Sequence, residues 1–127
     1  MPWLLRDGVV LAGVEVASSR QARRRGLLGR DGIDGALLLR PARSVHTFGM
    51  AFPIDVAYCV TAEPSESSLL AGTSVGELVA SLLVVDTVSM ARRRLGRPRW
   101  RATCVIEAEA GAFERWSLHP ADHLEVR

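Results

Sequence analysis

The chain has 127 residues, of which 48% are hydrophobic and 24% are charged, and its formal net charge at pH 7 is +2. This composition is typical of a globular protein with one hydrophobic core, and it excludes a disordered chain. No apolar run reaches the roughly 18 residues that a membrane span needs, and the N-terminus lacks a signal-peptide pattern, so we expect a cytoplasmic protein with no membrane association.

The first predicted element is a β-hairpin. Asp7-Gly8 separates two apolar runs, Trp3–Leu5 and Val9–Val16. Asp-Gly between apolar runs is a strong signal for a tight hairpin turn, so the two runs are predicted to pair as strands.

A short helix is predicted next, over Arg20–Leu28. Ser18 or Ser19 can act as its N-cap by accepting a hydrogen bond from a free backbone amide. Gly29 is predicted to end it. The segment has few apolar residues, so we expect a helix that is largely solvated.

Most of the remaining chain is predicted to form short strands. In the clearest, Phe52–Val60, alternation places Asp55 on the face opposite to Ile54 and Val56. Pro53 cannot donate a ladder hydrogen bond, so it belongs at the start of this strand or on an edge. The other predicted extended segments are Gly35–Leu39, Ser44–Thr47, Leu83–Ser89, Ala102–Ala108 and His123–Val126, the last of them an edge strand.

The segments between these strands have turn or helix character. Thr61–Thr73 and the basic segment Ala91–Trp100 are predicted loops, Ser74–Leu82 a short helix, and Gly111–Ser117 a turn or short helix. Many short strands with few small helices predict one mainly-β domain over residues 1–127. We expect a small sandwich- or barrel-like fold with two or three short helices.

The two cysteines, Cys59 and Cys104, each lie in an apolar, strand-like run. In a chain without an export signal, we expect two buried free thiols rather than a disulfide.

His46 and Asp55 are candidates for an acid–base pair, because they lie among apolar residues in one short stretch. Cys59, Ser44 or Thr47 would have to serve as a nucleophile. Alternatively, His46 packs in a turn and Asp55 accepts hydrogen bonds from backbone amides. The sequence favours this structural interpretation over a catalytic triad, because a reactive thiol needs an electropositive and partly open site.

The sequence predicts no metal site and no cofactor. His119 and His123 are four residues apart, but Pro120 lies between them and would interrupt a helical pair of ligands. The chain has no Cys-x-x-Cys or His-Glu-x-x-His motif and no glycine-rich phosphate loop.

All sixteen basic residues are arginines, and most of them fall in two clusters without an acidic residue. The first arginine cluster comprises Arg20, Arg23, Arg24, Arg25 and Arg30, and the second comprises Arg92, Arg93, Arg94, Arg97, Arg99 and Arg101. Arginine makes bidentate contacts with phosphate, and Trp3 and Trp100 offer stacking surfaces, so nucleic-acid association is one hypothesis. The low net charge and the lack of a nucleic-acid-binding fold signature count against it.

Four stretches together resemble a known family: RRRGLLGR, GALLL, HTFGMAFPIDVAY and VIEAEAGAFERWSLHPADHLEV. Their order and spacing are similar to those of the small bacterial and archaeal family catalogued as domain of unknown function 192. The resemblance covers nearly the whole chain and implies a compact mainly-β domain, but no reaction is established for the family. The matching positions are Arg23, Gly26, Leu27, Arg30, Met50, Pro53, Ile54, Asp55, Ile106, Glu107, Gly111 and Asp122.

The chain departs from the family pattern in two places. Ala121 lies where the family usually has glycine before Asp122, so we expect a distorted turn if that position needs a positive φ. Residues 62–82 are longer than the usual hairpin loop and are predicted to be a loop insertion.

We favour a non-enzymatic binding or accessory module with a polar pocket for a small polar or anionic ligand. An acid–base enzyme that uses His46 and Asp55 and nucleic-acid association through the arginine clusters are the alternatives. A structural ion pair between a signature arginine and Asp55 would also explain those positions. The predicted ligand-binding residues are Arg23, Arg30, His46, Thr47, Met50 and Asp55.

Overall fold

The structure, a computed structural model, describes residues 2–64 and 77–127. Within these ranges the chain forms seven strands and two short helices. They are β1 (Trp3–Arg6), β2 (Val9–Ala17), α1 (Arg20–Arg25), β3 (Ala36–Leu39), β4 (Ile54–Thr61), β5 (Ala80–Met90), β6 (Cys104–Glu109), α2 (Ala112–Arg115) and β7 (His123–Val126).

The strands close into a barrel in the order β1-β2-β3-β6-β4-β5-β7. All neighbouring pairs are antiparallel except β2 and β3, which are parallel. The mainly-β prediction is therefore confirmed, and the fold is a barrel rather than a sandwich. The prediction that His123–Val126 forms an edge strand is wrong, because closure pairs β7 with both β1 and β5.

Two apolar clusters stabilise the barrel. The first receives buried side chains from all seven strands and fills the interior, with Leu4, Val14, Leu38, Ile106 and Leu124 among its members. The second lies on the outer face of β3, β4, β5 and β6, where residues 42–52 and α1 cover the sheet. Alternation along β4 divides its side chains between the two clusters, as the sequence predicts.

Helix α1 is shorter than predicted. Ser19 caps it, and its Oγ accepts the amide of Ala22 at 3.0 Å. The helix ends at Arg25 rather than at Leu28, because Gly26 adopts a φ of 48° that leaves the helical conformation. The predicted end at Gly29 is therefore wrong by one turn.

The predicted helix over Ser74–Leu82 is wrong in the part that the structure describes. Ala80 already belongs to β5, and residues 77–79 have no regular structure. Residues 65–76, which hold the rest of this segment and most of the predicted insertion at 62–82, lie outside the described residues.

Other local predictions are confirmed. Cys59 and Cys104 are free, buried thiols on paired positions of β4 and β6. Ala121 has a φ of 77°, so the position at which the family pattern has glycine does require the left-handed conformation. Among the described residues, no helix is long and apolar enough to cross a membrane.

Candidate functional site

A small cavity of about 70 Å³ lies on the outer face of the barrel. Its walls come from three parts of the chain: the end of α1 with the turn after it, residues 42–46 together with Met50, and the outward-facing side chains of β3 and β6. Leu27, Val45 and Met50 are buried, so the inner part of the cavity is apolar apart from two charged side chains, those of Arg23 and Glu107.

Gly26 brings the end of α1 close to β6. Its amide donates to the carbonyl of Ala22 at 2.9 Å, and its backbone then turns away with a positive φ. A Cβ atom at this position would lie 3.6 Å from Oε1 of Glu107. The positive φ favours glycine at this position, and the 3.6 Å distance shows that the helix end lies against the carboxyl group.

Arg23 enters the cavity wall from α1. Its Nη1 donates to the carbonyl of Pro41 at 3.1 Å, which fixes the guanidinium against the covering segment. Its Nε is buried and has no hydrogen-bond partner among the described residues. A buried donor on a charged group is costly to leave unpaired, so this nitrogen is a ready donor to an added acceptor.

Glu107 supplies the carboxyl group of the cavity from the outer face of β6. The residue is 5% exposed, and burial raises the pKa of its carboxyl to about 7. No described side chain donates a hydrogen bond to it, and it forms no ion pair with the described arginines. Near neutral pH this group therefore exchanges between a neutral acid that donates a hydrogen bond and a carboxylate.

The entrance of the cavity is basic. Arg24, Arg25 and His46 line it and are exposed. The ring of His46 stacks on that of Phe48 with centroids 5.8 Å apart. An anion that approaches the entrance meets two guanidinium groups before it reaches Arg23.

Five of the twelve positions that carry the family resemblance line this cavity. Arg23, Gly26 and Leu27 come from the first stretch, Met50 from the third and Glu107 from the fourth. These segments are far apart in the sequence, and the fold places these residues around one cavity.

Two predicted site residues lie elsewhere and have structural partners. Arg30 forms a bidentate ion pair with Glu15, with N–O distances of 2.6 and 3.3 Å. Thr47 is fully buried, and its Oγ1 donates to the carbonyl of Ala91 and accepts the amide of Arg94, both at 2.7 Å. Thr47 thus fixes the loop that follows β5.

Asp55 is the anchor of α2. One carboxylate oxygen accepts the amides of Gly111 and Phe113 at 3.0 and 3.1 Å, and the other accepts the hydroxyl of Ser89 at 2.6 Å. The interpretation that Asp55 binds backbone amides is confirmed, and the alternative ion pair with Arg23 or Arg30 is absent.

The structure does not bring His46 and Asp55 together. His46 lines the cavity beneath α1, whereas Asp55 lines a separate depression beside α2. Cys59 is fully buried in the barrel interior. The described residues also hold no group of three His, Cys, Asp or Glu side chains with the geometry of a metal site.

Glu107, Arg24 and Arg25 are cavity residues that the sequence did not single out for the site. The signal for Glu107 was present, because it is an acid flanked by the apolar residues Ile106 and Ala108 and matches a family position. Arg24 and Arg25 were visible only as members of the first arginine cluster.

Comparison with solved structures supports the fold. A protein from Sinorhizobium meliloti 1021, described as a "putative transcription regulator", superposes with a TM-score of 0.65 at 17% identity, over 89% of this chain and 80% of that one. A protein of unknown function from Novosphingobium aromaticivorans DSM 12444 gives a TM-score of 0.66 at 14% identity, over 98% and 82% of the two chains. Comparisons with protein-family models and with curated proteins yield no match.

Proposed function

We propose that the protein is a binding module whose cavity takes a small anion, and that it belongs to the family of unknown function that its motifs resemble. The observation that carries the first proposal is the buried, unpartnered Nε of Arg23 on the wall of a cavity with a basic entrance. The order and spacing of the four motif stretches support the second proposal.

The size of the cavity limits the ligand. A cavity of about 70 Å³ is several times larger than the roughly 10–15 Å³ that one water molecule needs, but it is too small to enclose a large ligand. This space suits an inorganic oxyanion, or one carboxylate or phosphoryl group of a larger molecule that remains outside. Guanidinium groups bind both kinds of group through paired N–H donors.

Glu107 makes the proposed binding dependent on pH. In its neutral form the carboxyl group can donate a hydrogen bond to an anion. It then carries no charge that would weaken the attraction between the arginines and the anion. Once ionised, it repels an anion and offsets part of the arginine charge. Since its pKa is about 7, we expect the affinity to fall as the pH rises through neutrality.

The test is thermal unfolding with sulfate, which keeps its charge across this pH range, compared with chloride at equal ionic strength. Sulfate should raise the melting temperature of the parent protein more below pH 7 than above it, because a bound ligand stabilises the native state by mass action. Arg23→Gln should lose this response. Arg20→Gln removes the same charge from the same helix, outside the cavity, and should retain it.

Equal responses of Arg23→Gln and Arg20→Gln would show that sulfate acts on overall charge and would reject the cavity as its site.

The two free, buried thiols support a further proposal, that the protein works in a reducing compartment such as the cytoplasm.

A further inference from the structure

The fold brings the two arginine clusters to opposite sides of one segment, residues 41–47. Arg23, Arg24 and Arg25 flank it across the cavity. On its other side lies the loop that carries the second cluster, and the amide of Gly96 donates to the carbonyl of Val45 at 2.7 Å. Clusters that are separated by more than sixty positions in the sequence therefore border the same short segment.

The second cluster is held to this segment along its length. The amide of Arg99 donates to the carbonyl of Arg43, and the amide of Thr47 donates to the carbonyl of Arg94, both at 2.8 Å. Gly96 permits the close approach, because a Cβ there would lie 2.6 Å from the carbonyl oxygen of Val45. These bonds use the backbone and leave most of the arginine side chains free to face solvent.

Two side chains of the second cluster make contacts within the protein: Nη1 of Arg94 donates to the carbonyl of Arg93 at 3.3 Å, and Arg99 makes an ion pair and a ring contact. Arg99 pairs with Asp86 at 2.9 Å and lies over the ring of Tyr58, 4.4 Å from its centroid. The members other than Arg99 are exposed and form no salt bridge with any acid in the described part of the chain: Arg92, Arg93, Arg94, Arg97 and Arg101. Because no described acidic side chain pairs with these arginines, their positive charge is not compensated. This surface therefore attracts a polyanion.

Large aromatic side chains lie among these arginines. Trp100 is 76% exposed and Phe48 is 51% exposed, and the amide of Arg93 donates to the carbonyl of Thr47 next to Phe48. Neither ring belongs to the two apolar clusters of the barrel. They are the groups on which unpaired bases stack.

We propose that this basic–aromatic surface binds single-stranded nucleic acid, with the arginines contacting phosphates and Trp100 and Phe48 stacking on bases. The surface comprises Arg43, Phe48, Arg92, Arg94, Arg97 and Trp100. A single strand fits better than a duplex, because α1 and α2 have six and four residues, too short to read a major groove. An acidic peptide would use the arginines but leave the exposed rings without a role.

The proposal is independent of anion binding in the cavity, since Arg94, Arg97 and Trp100 do not line it. The experiment is fluorescence anisotropy with a labelled oligothymidylate, the same sequence as a duplex, and an oligoglutamate of equal charge. The single strand should bind most tightly, and its affinity should fall with salt, with a log–log slope of about −0.7 for each phosphate contact.

Two variants separate stacking from charge. Trp100→Ala should weaken single-strand binding about 5- to 100-fold, which corresponds to the loss of one stacked base. Replacing Arg92, Arg94 and Arg97 together by alanine should reduce the salt slope by about 2. Arg115→Ala removes one positive charge on α2, outside the surface, and should change neither quantity.

Duplex or oligoglutamate binding as tight as that of the single strand would overturn the proposal, since it would show attraction by charge alone. An unchanged affinity in Trp100→Ala would overturn the stacking role. Because Trp100 is mostly exposed, its variant should unfold at the parental temperature, so loss of fold does not obscure the result.

Discussion

Arg23 and Glu107 line the same buried cavity without forming an ion pair. Nη1 of Arg23 donates a hydrogen bond to the carbonyl of Pro41, and burial raises the pKa of Glu107 to about 7. A cation whose Nε lacks an acceptor and an acid that is half protonated near neutral pH are both costly in a stable fold. An anion bound in the cavity would accept a hydrogen bond from Nε of Arg23 and from the neutral form of Glu107, and it would be repelled by the ionised form.

Glu107→Gln should remove a pH dependence of stability. The native carboxyl binds its proton more tightly than the unfolded one, so its stabilising effect is complete below pH 4.5 and is lost as the pH rises through about 7. The difference is roughly 3 kcal/mol in the free energy of unfolding. Urea unfolding at a series of pH values measures it.

Glu109→Gln is the matched control for that series, because Glu109 lies on the same strand and is exposed. It should leave the pH dependence of the parent protein intact. A Glu107→Gln variant with the same pH dependence as the parent would show that other groups control it.

Substitution of Asp55 should destabilise the fold in proportion to the acceptors removed. Asp55→Asn keeps one oxygen for the amides of Gly111 and Phe113 and should cost about 1–2 kcal/mol. Asp55→Ala leaves both amides and Ser89 without a partner and should cost about 3 kcal/mol or more. Calorimetry should show falls of roughly 3–6 °C for each kcal/mol. An unchanged melting temperature for both variants would contradict the anchoring role.

Ala121→Gly should stabilise the protein. Ala121 has a φ of 77°, a conformation that costs a residue with a Cβ about 1 kcal/mol, and its amide is held by the carbonyl of Val84 at 2.8 Å. Glycine removes the strain but adds freedom to the unfolded chain, so the expected gain is roughly 0.5 kcal/mol. Chemical denaturation of the two proteins measures it, and a loss of stability would show that the turn is not strained.

Tyr58→Phe should be neutral or stabilising. The hydroxyl of Tyr58 is buried and has no hydrogen-bond partner among the described residues, while Arg99 contacts the ring rather than the oxygen. Removing the hydroxyl keeps that contact and deletes a polar atom that burial penalises, for a gain of up to about 1 kcal/mol. Equilibrium unfolding of the two proteins in urea measures this difference in the free energy of unfolding. A loss of more than 1 kcal/mol would mean that the hydroxyl is bonded in solution.

Much of the fold could be predicted from local patterns. Asp7-Gly8 identified the hairpin, and alternation around Ile54 placed the faces of β4 correctly. The end of α1 was missed because Gly26 and Gly29 are equally good helix ends in the sequence. The start of β5 was missed because a short apolar run such as that before Leu82 is compatible with a helix or a strand. Closure of the barrel through β7 depends on long-range pairing, which no local pattern reports.

The candidate site was harder to predict, because its members come together only after the barrel closes. Of the predicted site residues, Arg23, His46 and Met50 line one cavity. Arg30 and Asp55 are charged residues at equally strong motif positions, yet their partners are structural. Residue type and motif position do not distinguish an unpaired buried group from a paired one.

The most direct measurement is an NMR titration of the arginine Nε–H resonances with sulfate below pH 7, with the resonance of Arg23 assigned by its loss in Arg23→Gln. If the cavity binds anions through the unpartnered Nε, the Arg23 resonance should shift and saturate, while that of Arg20 stays in place. If the Arg23 resonance does not move, or moves no more than that of Arg20, the cavity is not an anion site.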